Sequence, residues 1–225
     1  MLKVAVLAFD RISPFHLSVP SVVFGDKHLG MPPFDFAVCA AEPGLLRTTA
    51  GFSVQASHGL ESLVAADLVI VPSWRDPNEL APQAWLAALQ AAHQRGAEVV
   101  GLCLGAYLLA QAGLLDGRQA TTHWAYAEDF ARRYPAVKVL PDQLYVEDGR
   151  LVTSAGTAAG LDCCLHLIRR RYGAACANRL ARRLVTAPHR QGGRPSSLSG
   201  QCRKQAVIAA WPGRLIGCAG IWGMR

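Results

Sequence analysis

The chain's 225 residues, 51% of them hydrophobic and only 17% charged, supply a core for one large domain and exclude wholesale disorder. No apolar run reaches the roughly 18–20 residues that a bilayer-spanning helix needs, so no contact with a membrane is expected. The formal net charge of +7 hides an asymmetry: residues 1–162 hold 11 Lys/Arg and all 16 Asp/Glu, whereas residues 163–225 hold 12 Lys/Arg and no acid. Such a split fits a nucleic-acid or acidic-partner surface, or a solvated basic helix followed by an unusual tail.

The N-terminus, MLKVAVLAFD, opens a strand over 3–9 and lacks the small-residue cleavage site of a signal peptide, which predicts a cytoplasmic protein. A helix over 17–26 and strands over 35–41 and 67–73 come next. They are succeeded by a helix over 81–95, a strand over 98–104 and a helix over 104–113. A weaker strand, 119–123, precedes a helix over 124–133. Residues 138–156 read as a hairpin turning at Asp148-Gly149, and helices span 157–171 and 173–186. Continuous apolar strands alternating with helices predict an α/β fold, a flavodoxin-like doubly wound sandwich with a mainly parallel sheet. Ligands bind such sheets beyond the carboxyl ends of the strands, so residues 9–20, 73–77, 103–106, 121–124 and 154–156 should converge on one cleft.

Within that cleft, GLCLG places Cys103 between Gly101 and Gly105, where a buried strand gives way to an apolar helix. A tight strand-to-helix turn requires small neighbours, and a helix N-terminus favours thiolate, so a lowered thiol pKa is expected. The N–H of Leu104, with one from the Ser73–Trp74 loop, would form an oxyanion hole. His123, in TTHW, is the candidate base; the alternative is an imidazole bonded to a carbonyl at a strand end. Asp162 is either the group that orients His123 or a first-turn helix residue. Trp74 is a candidate pocket wall. Arg75 either clamps an anionic ligand or pairs at a surface turn with Asp76. Seven cysteines without a CxxC pair predict buried thiols rather than disulfides, and neither a metal nor a cofactor is expected. Cys163 and Cys164 are neighbours on one helix and cannot face the same way, so at least one is packing.

The stretches GLCLGAYLLAQAGLLDGRQATTHW and LVTSAGTAAGLDCCLHLIRRRYGAACANRLARRLVTAPHRQGG resemble the class I glutamine amidotransferase-like (ThiJ/PfpI) domain. More narrowly, they resemble the copy found at the N-terminus of AraC-type transcriptional regulators, from residue 1 to about 193. The resemblance implies a flavodoxin-like sandwich, a homodimer, and a C-terminal helix-turn-helix domain that would carry DNA binding. Enzymes of this superfamily, such as isonitrile hydratases, carry an acid in the first cleft loop, where this sequence has His16. A retained pocket without its acid favours a sensor that binds a small-molecule ligand through His16, Ser73, Trp74, Leu104, Gly105 and Ser154. The alternative is a cysteine-dependent hydrolase or hydratase using Cys103 and His123 as catalytic residues.

After PHRQGG the family pattern stops, and residues 194–225 have no acid, two tryptophans and no convincing helical period. With synonymous codons chosen freely, a one-base offset of 194–222 encodes a string similar to the linker and first helix of the DNA-binding module. The expectation is a sensor domain over 1–193 and a frameshifted tail over 194–225 that lacks the helix-turn-helix; the alternative is a stand-alone variant with a divergent tail. The tail is expected to pack poorly.

Overall fold

The computed structural model describes residues 1–27 and 30–190. The chain divides into two units, 1–194 and 195–225, and every described element belongs to the first. The expectations for the tail fall outside the described residues.

β1 (Leu2–Ala8) shows how the sheet is covered. Side chains alternate along a strand, and here both alternating sets are buried: Val4 and Val6 enter one core, Ala5 and Leu7 the other. α1 (Pro14–Pro20) starts with proline, whose missing N–H costs nothing in a first turn, and runs into a π-helical turn, Ser21–Gly25. β2 (Phe34–Ala40) is followed by a hairpin of β3 (Leu45–Arg47) and β4 (Ser53–Gln55). After α2 (Leu60–Ala65) come β5 (Leu68–Val71) and α3 (Gln83–Arg95), which Gly96 ends at φ 109°. β6 (Glu98–Leu102) leads to α4 (Gly105–Gln111). β7 (Gln119–Ala120), a single 3₁₀ turn and α5 (Ala127–Arg133) precede β8 (Lys138–Val139). β9 (Tyr145–Asp148), β10 (Leu151–Ser154) and α6 (Ala158–Arg183) complete the series.

The main sheet has the order β2-β1-β5-β6-β10-β9. Its first five strands are parallel, and β9 joins antiparallel through a turn at Gly149-Arg150, with Gly149 at φ 65°. Leu63, Trp85, Tyr107 and Phe130 cover one face, and Phe24, Cys164, Leu167 and Ile168 cover the other. This is the doubly wound α/β sandwich that the alternation of apolar strands and helices predicts. The two helices read at 157–171 and 173–186 meet in α6, where Gly173 breaks the helical path at φ 84°, ψ 167°.

Two local readings need correction. The strand read over 119–123 stops at Ala120 and pairs with β8 in a separate small sheet. Beyond it, the Thr121 N–H donates to the Thr153 hydroxyl (2.8 Å) and the Thr122 hydroxyl to the Cys103 carbonyl (2.9 Å), so side chains replace a ladder. The β3–β4 hairpin and α2 have no counterpart in the predicted elements. Their strands of three residues and helix of six are too short for a periodic pattern to build up.

Among the described residues, no helix is long and apolar enough to cross a membrane, and no group of three or more His, Cys, Asp or Glu could hold a metal ion. Cys39, Cys103, Cys163 and Cys164 are buried free thiols and Cys176 is half-buried. Cys163 and Cys164 both belong to the α6-side core.

Trp85 joins α3 to this architecture, 2% exposed and edge-on to Trp74 at 5.5 Å. Trp85→Ala should lower the free energy of urea unfolding by about 3–5 kcal/mol, the usual cost of a large aromatic cavity.

Candidate functional site

β6 ends at Leu102 and α4 begins at Gly105, leaving Cys103 at the turn with φ 54°, a left-handed conformation that side-chain-bearing residues adopt at a cost. Three glycines make the turn possible. A Cβ at Gly101 would stand 2.9 Å from the Ala106 nitrogen, and one at Gly105 would collide with the Val71 carbonyl oxygen. The third, Gly156, lies just past β10 at φ 76°; a Cβ there would overlap the Cys103 Cβ and lie 2.5 Å from its Cα and 2.8 Å from its Sγ. The Cys103 N–H donates to the Ser154 carbonyl at 2.9 Å, tying the elbow to the end of β10. The next residue, Thr157, also has a positive φ (46°), so two strained non-glycine residues flank this contact.

The thiol faces the Leu104 N–H and the Ser73 hydroxyl, both of which favour thiolate. Burial opposes them and prevails: Cys103 is 5% exposed, and desolvation pushes its pKa above the ordinary thiol value. The lowered pKa expected from the helix N-terminus is therefore corrected. α4 has only seven residues, and two hydrogen bonds do not recover the hydration the thiolate would lose.

His16, on α1, has both ring nitrogens buried and without a hydrogen-bond partner. Desolvation, and after it the nearby charge of His123, push its pKa below the ordinary imidazole value, so His16 is neutral at pH 7. His123 caps the 3₁₀ turn, its Nδ1 accepting the Ala125 N–H at 3.3 Å; a neutral ring then carries its proton on Nε2. Its ring lies 5.8 Å from both Trp124, which is half-exposed, and Tyr126.

Other expected groups are held elsewhere. Arg75 donates to Glu79 (2.9 Å) and Glu42 (2.7 Å), not to Asp76, which leaves no uncompensated charge for an anionic ligand. Trp74 is 3% exposed, edge-on to Phe9 at 5.1 Å and with its indole N–H on the Glu79 carbonyl at 3.0 Å. Its ring thus belongs to the core. Asp162 is held by Arg190 at 2.9 Å, and Asp10 by Arg47 at 3.0 Å. The structure thus places Cys103, Leu104 and Gly105 in one turn, with Ser73, just past β5, and Ser154, at the end of β10, in contact with it, and the His16–His123 pair as neighbours of each other. Sequence reasoning placed Gly156 and Thr122 in stretches expected at the cleft but assigned neither a role. Their signal lies in SAGTAAG and TTHW, stretches that carry the family likeness and also supply these contacts to the elbow.

Fold and site define a class of protein: a doubly wound α/β sandwich with a cysteine on a strained turn at the carboxyl end of its parallel sheet. Within that class the chain belongs to the DJ-1/PfpI family, whose model matches residues 2–170. Over 148 residues it is 34% identical to the HTH-type transcriptional regulator CdhR of Pseudomonas aeruginosa, covering 66% of this chain and 44% of that protein. Over 189 residues it is 25% identical to the isonitrile hydratase of Pseudomonas putida, covering 83% of this chain and 79% of the hydratase. A solved AraC family transcriptional regulator from Pseudomonas putida has the same fold, with a TM-score of 0.72 at 21% identity over 82% of this chain and 100% of that one. The chain spans less than half the length of the curated regulator CdhR that it matches.

Two outcomes check this geometry. Gly156→Ala should unfold at a markedly lower temperature than Gly117→Ala. Both residues have φ near +75°, but only Gly156 also meets Cys103; at Gly117 the space is open. The strain alone costs roughly 1–2 kcal/mol. Alkylation of Cys103 by iodoacetamide, followed by mass spectrometry, should be slow at pH 7 and keep rising through and beyond pH 9.0, the ordinary thiol value. A plateau below that pH would show a stabilised thiolate.

Proposed function

We propose that residues 1–193 are the small-molecule-sensing domain of an AraC-type transcriptional regulator, cytoplasmic and dimeric. Sequence-specific DNA binding would belong to a separate helix-turn-helix module, and the tail over 194–225 would be the product of a shifted frame. The observation that carries this reading is His16, a neutral imidazole on α1 whose buried ring nitrogens have no partner, together with a Cys103 thiol that burial keeps protonated. A hydrolytic cysteine needs a thiolate and a group to move its proton. A binding pocket needs convergent polar groups to orient a ligand, and orphaned donors and acceptors serve that end. The Ser73 hydroxyl, the Leu104 N–H, Gly105 and Ser154 would line the same pocket, and the exposed parts of Phe15 and Trp124 offer aromatic surface beside the two imidazoles. The likeness to CdhR supports the regulator context.

The likeness to isonitrile hydratase, over more of both chains, favours a second reading. Cys103 would then attack an electrophilic carbon, His123 would move protons, and the Leu104 N–H would stabilise developing charge.

Turnover assays separate the two. A sensor should convert no small amide, isonitrile or glyoxal, whereas turnover abolished by Cys103→Ser would establish the enzyme. In gel-shift titrations this chain should bind promoter and scrambled duplexes alike, weakly, and lose both between low and physiological salt.

A further inference from the structure

At the end of β6 opposite Cys103, a cavity of about 480 Å³ opens among the amino ends of β5 and β6, the β9–β10 turn and α6. Its lining holds four arginines, Arg95, Arg150, Arg170 and Arg171, against two carboxylates, Asp67 and Glu98. Glu98 is 4% exposed and is held by both Arg170 and Arg171, the latter pair at 2.5 Å. Arg170 also reaches Glu147. Asp67 accepts the Lys3 N–H at 3.0 Å, and Arg95 donates to the Val64 carbonyl at 2.9 Å and to that of Ala66. Arg150 makes no side-chain hydrogen bond or ion pair among the described residues, and its carbonyl accepts the Val99 N–H at 2.9 Å. Beside it, Gly96 leaves open space where a side chain would stand.

A purely structural ion cluster balances its charges, because like charges held together at low hydration repel. This one has cations in excess, and Arg150 stands without a counter-ion at the rim of a concavity of small-ligand size; such pockets hold roughly 300–1,000 Å³. Guanidinium groups offer planar, paired N–H donors that match phosphate oxygens. We infer that this cavity is a second ligand site, distinct from the Cys103 cleft, that takes the phosphate or diphosphate group of a small molecule between Arg150 and Arg171. The four arginines are gathered around one concavity lined by residues of α3, α6 and the β9–β10 turn. Charge concentrated at one point suits a compact phosphate ester better than the regularly spaced phosphates of a duplex.

Sodium pyrophosphate titrated into the full chain by calorimetry, at constant ionic strength, is expected to give saturable one-to-one binding. Arg150→Glu should weaken it at least tenfold while leaving the thermal midpoint close to wild type, since Arg150 lies exposed on a turn. Arg150→Gln supplies the same reading if the glutamate variant folds poorly. Cys103→Ser should bind as wild type does, so the outcome is independent of what the other cleft recognises. Absence of saturable binding, or unchanged binding in the Arg150 variants, would overturn the proposal. Adenosine diphosphate should displace pyrophosphate and a short DNA duplex should not; displacement by the duplex alone would overturn the assignment to a small molecule.

Discussion

The approach of Gly156 to Cys103 is the constraint on which the rest of the site depends. The end of β10 and the start of α4 must occupy almost the same space, which only a residue without a Cβ allows. The Cys103 N–H on the Ser154 carbonyl fixes that approach from the backbone, and Thr122 fixes it from the next crossover through the Cys103 carbonyl. Three chain segments thereby hold Cys103 at a positive φ that its own preference disfavours. The doubly wound sheet sets the distances, because β10 is the parallel neighbour of β6.

The elbow is legible in the sequence because its signals are local. Gly101, Cys103 and Gly105 fall within five residues after an apolar strand, and steric exclusion acts on the same residues the motif names. The order of parallel strands and helices is legible for the same reason, since β-branched runs and helical stretches each carry their own period. The three-residue strands of the small hairpin are not, because they are too short for a pattern, and the end of β7 at Ala120 is not, because side-chain contacts at Thr121 and Thr122 replace the ladder. The thiol's protonation is equally hidden from the sequence. It turns on how much water the folded cleft admits, and a motif at a helix N-terminus specifies only the favourable half of that balance.

Charge pairing is hidden in the same way. Arg75 is drawn to Glu42, 33 residues upstream, as well as to the local Glu79, and Asp162 is claimed by Arg190, 28 residues downstream. Both stand as candidate site residues in the sequence because the partners that hold them lie outside their local stretches or are not named by adjacency. The structure removes these charges from the Cys103 cleft. At the other end of the same strand, Glu98 sits buried between two arginines. β6 thus has a neutral, strained carboxyl end and a strongly charged amino end.

The burial of Cys103 also bears on how the protein ages in an oxidising cell. Peroxide attacks thiolates that it can reach, and each oxidised product, from sulfenic to sulfonic acid, needs room for added oxygen. Sγ here is protonated, scarcely exposed and pressed against the Gly156 backbone. The turn that strains the cysteine therefore also leaves little room around its sulfur for the oxygens that oxidation would add.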